Sequence, residues 1–375
     1  EARTRRNFDV RTNVISFGLP GQEPQKSEVR FGTNYRAQAS INASQMIFDG
    51  TFFLGLKASK VYVNLSKKQY EQSRRDTRAK VAKAYYSCLV TDRNRQILKK
   101  NVKEVEQNLN ETRQRFQNGM VEELDVDRQR LTLQNLENQL SKVTRETRLA
   151  RRLLKFQMGY PIDDTLVLNE SLQTQVPSTK VQKQVPEDFK PEQRLSYQEL
   201  SVRERLAVLD KQRYQAAYLP KLDAFATHLQ LAQRDDFNFL EGSEPWFPST
   251  YAGLSLSVPI FSGFQKSARV QKAQIDLKKI QNRQDELKEE IRLQVSRSRR
   301  TYNNALERAR KQQQNLELAR KIYDQSQVKY DEGVGSSLEL TTAQNQLFEA
   351  QTAYINAVQD YLVAEIDLKK ALGDY

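Results

Sequence analysis

Phe116 to Leu124 reads FQNGMVEEL, and 214 positions later Tyr330 to Leu338 reads YDEGVGSSL. Phe116 and Tyr330, Gly119 and Gly333, and Leu124 and Leu338 fall in register, as do Leu133 and Leu347, Leu154 and Leu368, and Gly159 and Gly373. Six matches at one spacing, with no insertion between them, identify a duplication. Upstream, Phe48-Asp49-Gly50 answers Phe261-Ser262-Gly263 at a spacing of 213, so one residue was gained or lost between. This period is far too long for a solenoid repeat. The chain reads as two similar halves.

Each half begins with strands. From Arg30 to Ser44, Phe31, Thr33, Tyr35, Ala37, Ala39, Ile41 and Ala43 alternate with polar residues, the two-residue period of a sheet with one apolar and one wet face. In the second half Ala252, Leu254, Leu256 and Val258 alternate with Tyr251, Gly253, Ser255 and Ser257. Partner strands are expected at Val10–Leu19 and Lys221–Leu231, with turn-rich segments Pro20–Ser27 and Arg234–Pro248 between partners. The second segment carries Phe237, Phe239, Trp246 and Phe247, fitting a loop or an aromatic girdle at a membrane surface. A soluble sandwich would read the same way. Two hairpins cannot close a sheet, so the open edges call for strands from other chains.

After each Phe-x-Gly the pattern turns helical. Leu98, Val102, Val105, Leu109, Thr112 and Phe116 step by four and three, a coiled-coil seam. The register 214 residues on gives Gln312, Leu316, Ala319, Tyr323, Ser326 and Tyr330. The returning seams are Leu133, Leu136, Leu140, Val143, Thr147, Ala150 and Leu154 against Leu347, Ala350, Tyr354, Ala357, Tyr361, Ala364 and Leu368. Thr51 to Asn118 would span about 100 Å at about 1.5 Å per residue. The return from Leu124 to Met158 is about half as long, and a further helix over Pro191–Tyr218 makes up the remainder. A half is therefore expected to set one long helix beside two short ones, with a linker over Tyr160–Phe189. The first half lacks the helix that should precede its first strand, an expected truncated or unordered start rather than another fold.

Composition agrees with long elements: 13 Gly and 10 Pro in 375 residues leave few turns. No run approaches the roughly 18 apolar residues a membrane-spanning helix needs, so a membrane form must be a barrel. The net charge is +13, but Lys and Arg are interleaved with Asp and Glu, unlike a nucleic-acid-binding arm. One Cys (Cys88) and one His (His228) leave no intrachain disulfide and no multi-His metal site. No glycine-rich phosphate loop or nucleophile–His pairing stands out, and Asp125 and Asp127 point to different helix faces. The reading is non-enzymatic and without cofactor. A soluble coiled-coil scaffold or nucleic-acid-binding protein stays as the alternative, and an adaptor with a single hairpin per chain fits the duplication less well.

The stretches Arg115–Val126 and Lys329–Leu340 resemble the paired helix-turn-helix tips of the TolC family of outer-membrane efflux proteins. Leu256-Ser257-Val258-Pro259-Ile260-Phe261-Ser262-Gly263 and Ala217-Tyr218-Leu219-Pro220-Lys221-Leu222 are similar to that family's strand–helix junctions. The resemblance implies an α+β membrane protein, a homotrimer in which four strands per chain close a twelve-stranded barrel. Long antiparallel coiled-coil hairpins would form a periplasmic tunnel below the outer membrane of a Gram-negative bacterium. The implied function is the passive exit duct of a tripartite efflux or type I secretion system, meeting a periplasmic adaptor (membrane fusion) protein and an inner-membrane pump, with outer-membrane lipid around the barrel and no nucleic acid. The expected organisation is a first strand pair at 1–50, a first hairpin at 51–159, an equatorial linker at 160–193, a helix stacking on the first hairpin at 194–219, a second strand pair with its extracellular loop at 220–260 and a second hairpin at 261–375.

The resemblance also assigns residues. Gly119, Met120, Val121 and Gly333, Val334, Gly335 become adaptor-docking turns. Asp125 and Tyr330 occupy the latch positions of the closed tip, and Glu339 its first acidic ring. Two positions depart from the family pattern: a latch arginine is Gly335 here, and the second ring position is Thr342. With one ring instead of two, the gate is expected to be less negative, and three Glu339 facing one axis would attract cations. Glu339 is equally an exposed acid at a helix start, favoured there by the helix dipole.

Overall fold

Alternating stretches become strands and heptad stretches become helices. The computed structural model describes residues 2–6, 11–17, 25–168, 172, 189–239, 242 and 244–375, with backbone alone before residue 32. The described elements are β1 (Ala2–Arg6), β2 (Arg11–Phe17), β3 (Gln25–Phe31), β4 (Tyr35–Phe48), α1 (Gly50–Gln117), α2 (Glu123–Met158), α3 (Leu195–Ala216), β5 (Lys221–Arg234), β6 (Phe247–Ser257), α4 (Gln265–Asp331) and α5 (Ser337–Leu372). They fall into two units: Glu1–Tyr62 with Arg205–Lys279, and Val63–Glu204 with Ile280–Tyr375.

The first unit holds the sheet. Its strands run antiparallel in the order β1-β4-β5-β6, and β2 and β3 form a separate two-stranded ribbon. The partner of the Arg30–Ser44 stretch is thus not the expected segment 10–19. Arg11–Phe17 pairs with Gln25–Phe31, whereas Tyr35–Phe48 takes β1 and β5 as neighbours. The physical reason is the break at Gly32-Thr33-Asn34, which splits the apparent single strand in two; residues 20–24 of the expected turn, with residues 10, 18 and 19 of the expected strand, lie outside the described residues.

Register sorts the side chains. Ala43, Ala226 and Ala252 lie in one cross-strand row, and Ala224–Leu254 and Leu222–Leu256 share its face. The opposite face carries Asn42, Ser44, Thr227, Asp223 and Ser255 near the helices and Leu229, Leu231 and Phe247 toward the far end of the strands. On that face Phe225 lies over Gly253, where an added Cβ would meet its ring at 3.0 Å, so the ring covers the glycine's bare backbone. The loop after β5 is wound around Arg234, which is 3% exposed. Its guanidinium donates to the Asn238 and Glu244 carbonyl oxygens, pairs with the Glu244 carboxylate at 3.3 Å and stacks on Phe239 at 5.2 Å. Tyr35, Phe237, Phe239 and Trp246 touch in series, so the loop after β5 packs on its own aromatics, while Phe247 at the start of β6 stays exposed.

Where β4 gives way to α1, Asp49 accepts from the Thr51 N–H at 2.8 Å and its hydroxyl at 2.7 Å, capping the helix. Its other carboxylate oxygen meets Lys221 Nζ at 2.7 Å, tying β5 to the helix start.

The second unit is built of seams. Leu98 and Val105 of α1 pack on Leu136 and Val143 of α2, with Leu133, Leu140 and Phe348 of α5 closing the cluster. Tyr302, Ala305 and Ala309 of α4 pack on Tyr354, Ala357, Tyr361 and Ala364 of α5. Alanines on this seam let the helices approach closely. α3 lies beside α1 and α4 through Gln69–Glu199 and Gln281–Glu204 hydrogen bonds, and Arg194 before it donates to the Lys370 and Ala371 carbonyls ending α5. Of the expected linker, Leu166 and Leu168 pack near Val81 and Tyr85; residues 169–171 and 173–188 lie outside the described residues. Among the described residues no helix is long and apolar enough to cross a membrane.

Candidate functional site at the hairpin tips

Each hairpin turns through five residues, 118–122 and 332–336. The Gly119 N–H donates to Phe116 O at 2.9 Å and the Met120 N–H to Arg115 O at 2.9 Å; Gly333 to Tyr330 O at 3.1 Å and Val334 to Lys329 O at 3.0 Å repeat the pattern. This doubly bonded helix end needs a left-handed residue, and Gly119 and Gly333 have φ of 73° and 75°. Both turns push an apolar side chain into solvent: Met120 is 72% exposed and Val334, its repeat equivalent, 80%. Leu124 and Leu338, one turn on, are exposed as well. Val121 and Gly335 are half-buried. Ser336 accepts from the Glu339 N–H at 3.1 Å, giving α5 the Ser-x-x-Glu start of a capping box. Glu122, before α2, makes no side-chain cap bond.

The two tips meet but are unequal. Tyr330 is buried at 8% among Ala319, Tyr323, Leu340, Ala343 and Leu347, whereas its equivalent Phe116 is 41% exposed. Asp125 does not reach Tyr330. It bonds Arg128 of its own helix at 3.0 Å, and the Tyr330 hydroxyl is buried with no hydrogen-bond partner among the described residues. Glu339 pairs with Lys329 at 3.1 Å. Thr342 bonds back to Leu338 O at 2.7 Å.

What reaches Tyr330 is Arg115, at the end of α1. Its guanidinium carbon lies 4.6 Å over the ring centroid, Nη1 donates to Tyr330 O at 3.2 Å, and Nη2 stands 3.6 Å from Asp331 Oδ1. The sequence offered only a hint of this, a basic residue recurring at 115 and 329. Further from the tip, Tyr323 donates to Glu104 at 2.6 Å and Asn101 to Gln351 at 2.7 Å. Burial and the Glu104 carboxylate push the Tyr323 phenol far above its usual pKa, so it stays a donor. Between α2 and α5, Gln129 donates to Thr341 at 3.2 Å beside a groove of about 890 Å³ lined by Arg128, Leu131, Thr341 and Phe348. The hairpins are thus joined by hydrogen-bonding side chains spaced along their facing helices. Among the described residues no group of three or more metal-ligating side chains is brought together.

A profile of the outer membrane efflux protein family matches residues 21–160 and 193–374. The toluene efflux pump outer membrane protein TtgC of Pseudomonas putida is 24% identical over 372 residues, covering 95% of this chain and 72% of TtgC. Among solved structures, a membrane protein from Pseudomonas aeruginosa superposes with a TM-score of 0.73 at 16% identity, covering all of this chain and 84% of that one. The outer membrane protein VceC of Vibrio cholerae gives 0.71 at 14% identity, covering all of this chain and 87% of VceC.

Proposed function

The chain belongs to the outer membrane efflux protein family, and on that footing we propose that it is the passive exit duct of a tripartite efflux assembly, with three copies closing one barrel. The observation that carries this is the sheet. Among the described residues its four strands end in two unpaired edges, β1 and β6, and one face of the β6 edge exposes Leu254 at 70% and Leu256 at 65%. Unpaired edges beside exposed apolar rows are unstable in a lone chain. Closure with further copies satisfies the edges, and lipid covers the apolar row.

The tips are the end that meets an adaptor and, through it, an inner-membrane pump. Gly119, Met120, Val121 and Gly333, Val334, Gly335 form the docking turns, with Met120 and Val334 as paired apolar knobs. Asp125, Tyr330 and Glu339 belong to the gate. The cargo is proposed as small molecules, since TtgC is named for toluene efflux. Chain purified in detergent should run as a trimer by light scattering and give discrete conductance steps in planar bilayers. A monodisperse monomer that needs no detergent, or a trimer that never conducts, would sink the reading.

A further inference from the structure

Charges of both signs alternate along the chain, but at one level of the helices the balance fails. Residues 74–95 of α1 carry seven Lys and Arg against two acids, 142–158 of α2 six against one, and 288–311 of α4 eight against three. Contacts set these stretches side by side. Ala84 and Cys88 pack on Ala150 and Leu154, Lys83 and Asp76 pair with Asp367 and Lys370 of α5, and Tyr302 stacks on Tyr361. Their combined surplus of fifteen positive charges exceeds the +13 of the whole chain. The three acids that α5 brings over 354–368 are already bound: Asp360 to Arg308, Glu365 to Lys369 and Asp367 to Lys83.

The linker after α2 marks the outer side of this level. Leu166 and Leu168 pack on the Ala84–Leu154 cluster, and Leu172 packs on the cluster shared by α4 and α5. A strap laid across both hairpins inside a duct would block it, so the strap lies on the outer wall. Arg78 borders the same hollow as Leu166 and Leu168, and Arg93 the same hollow as Leu168 and Leu172. Arg74 precedes Arg78 by one helical turn. All three are exposed, and none is paired with a carboxylate among the described residues. Like charges one turn apart on a helix repel, so the arrangement is unfavourable until an acidic partner is added. These residues stand about 36–65 Å along α1 from its first turn, beyond the reach of lipid headgroups.

We propose that Arg74, Arg78 and Arg93 bind the outer wall of the duct to a carboxylate-rich polymer of the periplasm, the peptidoglycan that such a duct must cross. The inference rests on the exit-duct reading, which puts these helices in the periplasm. A guanidinium matches a carboxylate with two parallel hydrogen bonds, which suits arginine better than lysine to the acidic groups of peptide stems. Each exposed ion pair is weak, but three copies presenting the same arginines to a repeating polymer add their contacts.

The test is cosedimentation of the detergent-purified chain with insoluble peptidoglycan sacculi. Wild type should pellet with them and be released as salt is raised to about 0.5 M. Sacculi with amidated carboxyls should retain about ten-fold less, and so should the variant R74Q/R78Q/R93Q on native sacculi. K99Q/K100Q/K103Q removes as much charge from exposed positions further along α1 and should bind as wild type does. Equal losses in the two triple variants would mean attraction to net charge alone and overturn the site. Undiminished binding by the arginine variant, or to amidated sacculi, would overturn it as well. Conductance in planar bilayers separates this proposal from the duct reading, because the arginine variant should conduct with unchanged ion selectivity. If selectivity shifts toward cations while sacculus binding stays, the arginines line the bore and face anionic cargo; the proposal then falls and the duct stands. A chain that binds sacculi through these arginines but never forms a conducting trimer sinks the duct reading instead.

Discussion

Gly335 stands where the resemblance places a latch arginine, and the backbone explains why no side chain fits. A Cβ there would lie 3.0 Å from both Lys329 Cβ and Tyr330 N. Gly335→Ala should lower the unfolding midpoint by the equivalent of about 1–2 kcal/mol, because the nearest atoms include backbone that cannot step aside. Gly119 is different: its φ is 73° but nothing lies within 4 Å of an added Cβ, so Gly119→Ala should lose only about 1 kcal/mol of turn conformation. Equal losses at the two positions in urea titrations would contradict this assignment. At the other residue of note, Asp49, Lys221 and then Thr51 hold the carboxyl down to about 2. A lowered carboxylate contributes its stability above the unfolded-state value of about 3.9 and loses it as pH falls toward the folded value. Asp49→Ala should therefore weaken the protein by about 1–2 kcal/mol at pH 7, through loss of cap and ion pair together. The gap to wild type should hold from pH 8 to 5 and shrink between pH 4 and 2; a gap that widened with acid would have the wrong sign.

Helices and strands differ in how much of them a local reading could reach. Expected helices over 51–118 and 124–158 match Gly50–Gln117 and Glu123–Met158, because a helix is fixed by residues within a turn of one another. Strand pairing is not local. The alternation of Arg30–Ser44 was legible, but that β4 would pair with Ala2–Arg6 and β5, leaving β2 and β3 to each other, depended on a distant choice of partner. The tip divides the same way. The glycines and exposed Met120 and Val334 follow from the repeated turn, whereas the reach of Arg115 to Tyr330 depends on how α1 lies against α4, and no residue spacing encodes that. The facing helices also bury amides that the seam pattern did not single out. Gln344 on α5 is fully buried, and neither side-chain polar atom has a hydrogen-bond partner among the described residues; Gln129 Oε1 shares that condition. A buried polar atom left unpaired costs about 1–3 kcal/mol, and an apolar group of the same shape avoids it. Gln344→Leu should therefore raise the thermal midpoint in detergent. A lower midpoint would mean that the amide is satisfied in the assembled protein, by water or by a second chain.

At the scale of the molecule, the sheet's two faces must meet two solvents. If copies close a barrel through β1 and β6, the face carrying Leu222, Leu254, Leu256, Ala224 and Ala226 meets lipid, and the face carrying Asn42, Ser44, Asp223, Thr227 and Ser255 lines the water-filled bore. Adjacent residues on β6 then make a sharp comparison. Leu254→Lys would set a charge against hydrocarbon, a loss of about 2–4 kcal/mol near the bilayer midplane and less toward its surface. Ser255→Lys sets the same charge one residue along, in the bore and directly opposite Asp223 in the β5–β6 register. The first variant should fail to yield heat-stable oligomer from the outer membrane, and the second should assemble and shift the channel's ion selectivity toward anions. Were Leu254→Lys to assemble and Ser255→Lys to fail, the sheet would be inside out relative to this proposal, and the apolar row would have to face the protein's own interior. The wet face, with its serines, asparagine and aspartate, would then be left against lipid without partners, which the bilayer does not tolerate. Register settles which residues share a face; this pair of charge substitutions tests which of the two faces meets lipid.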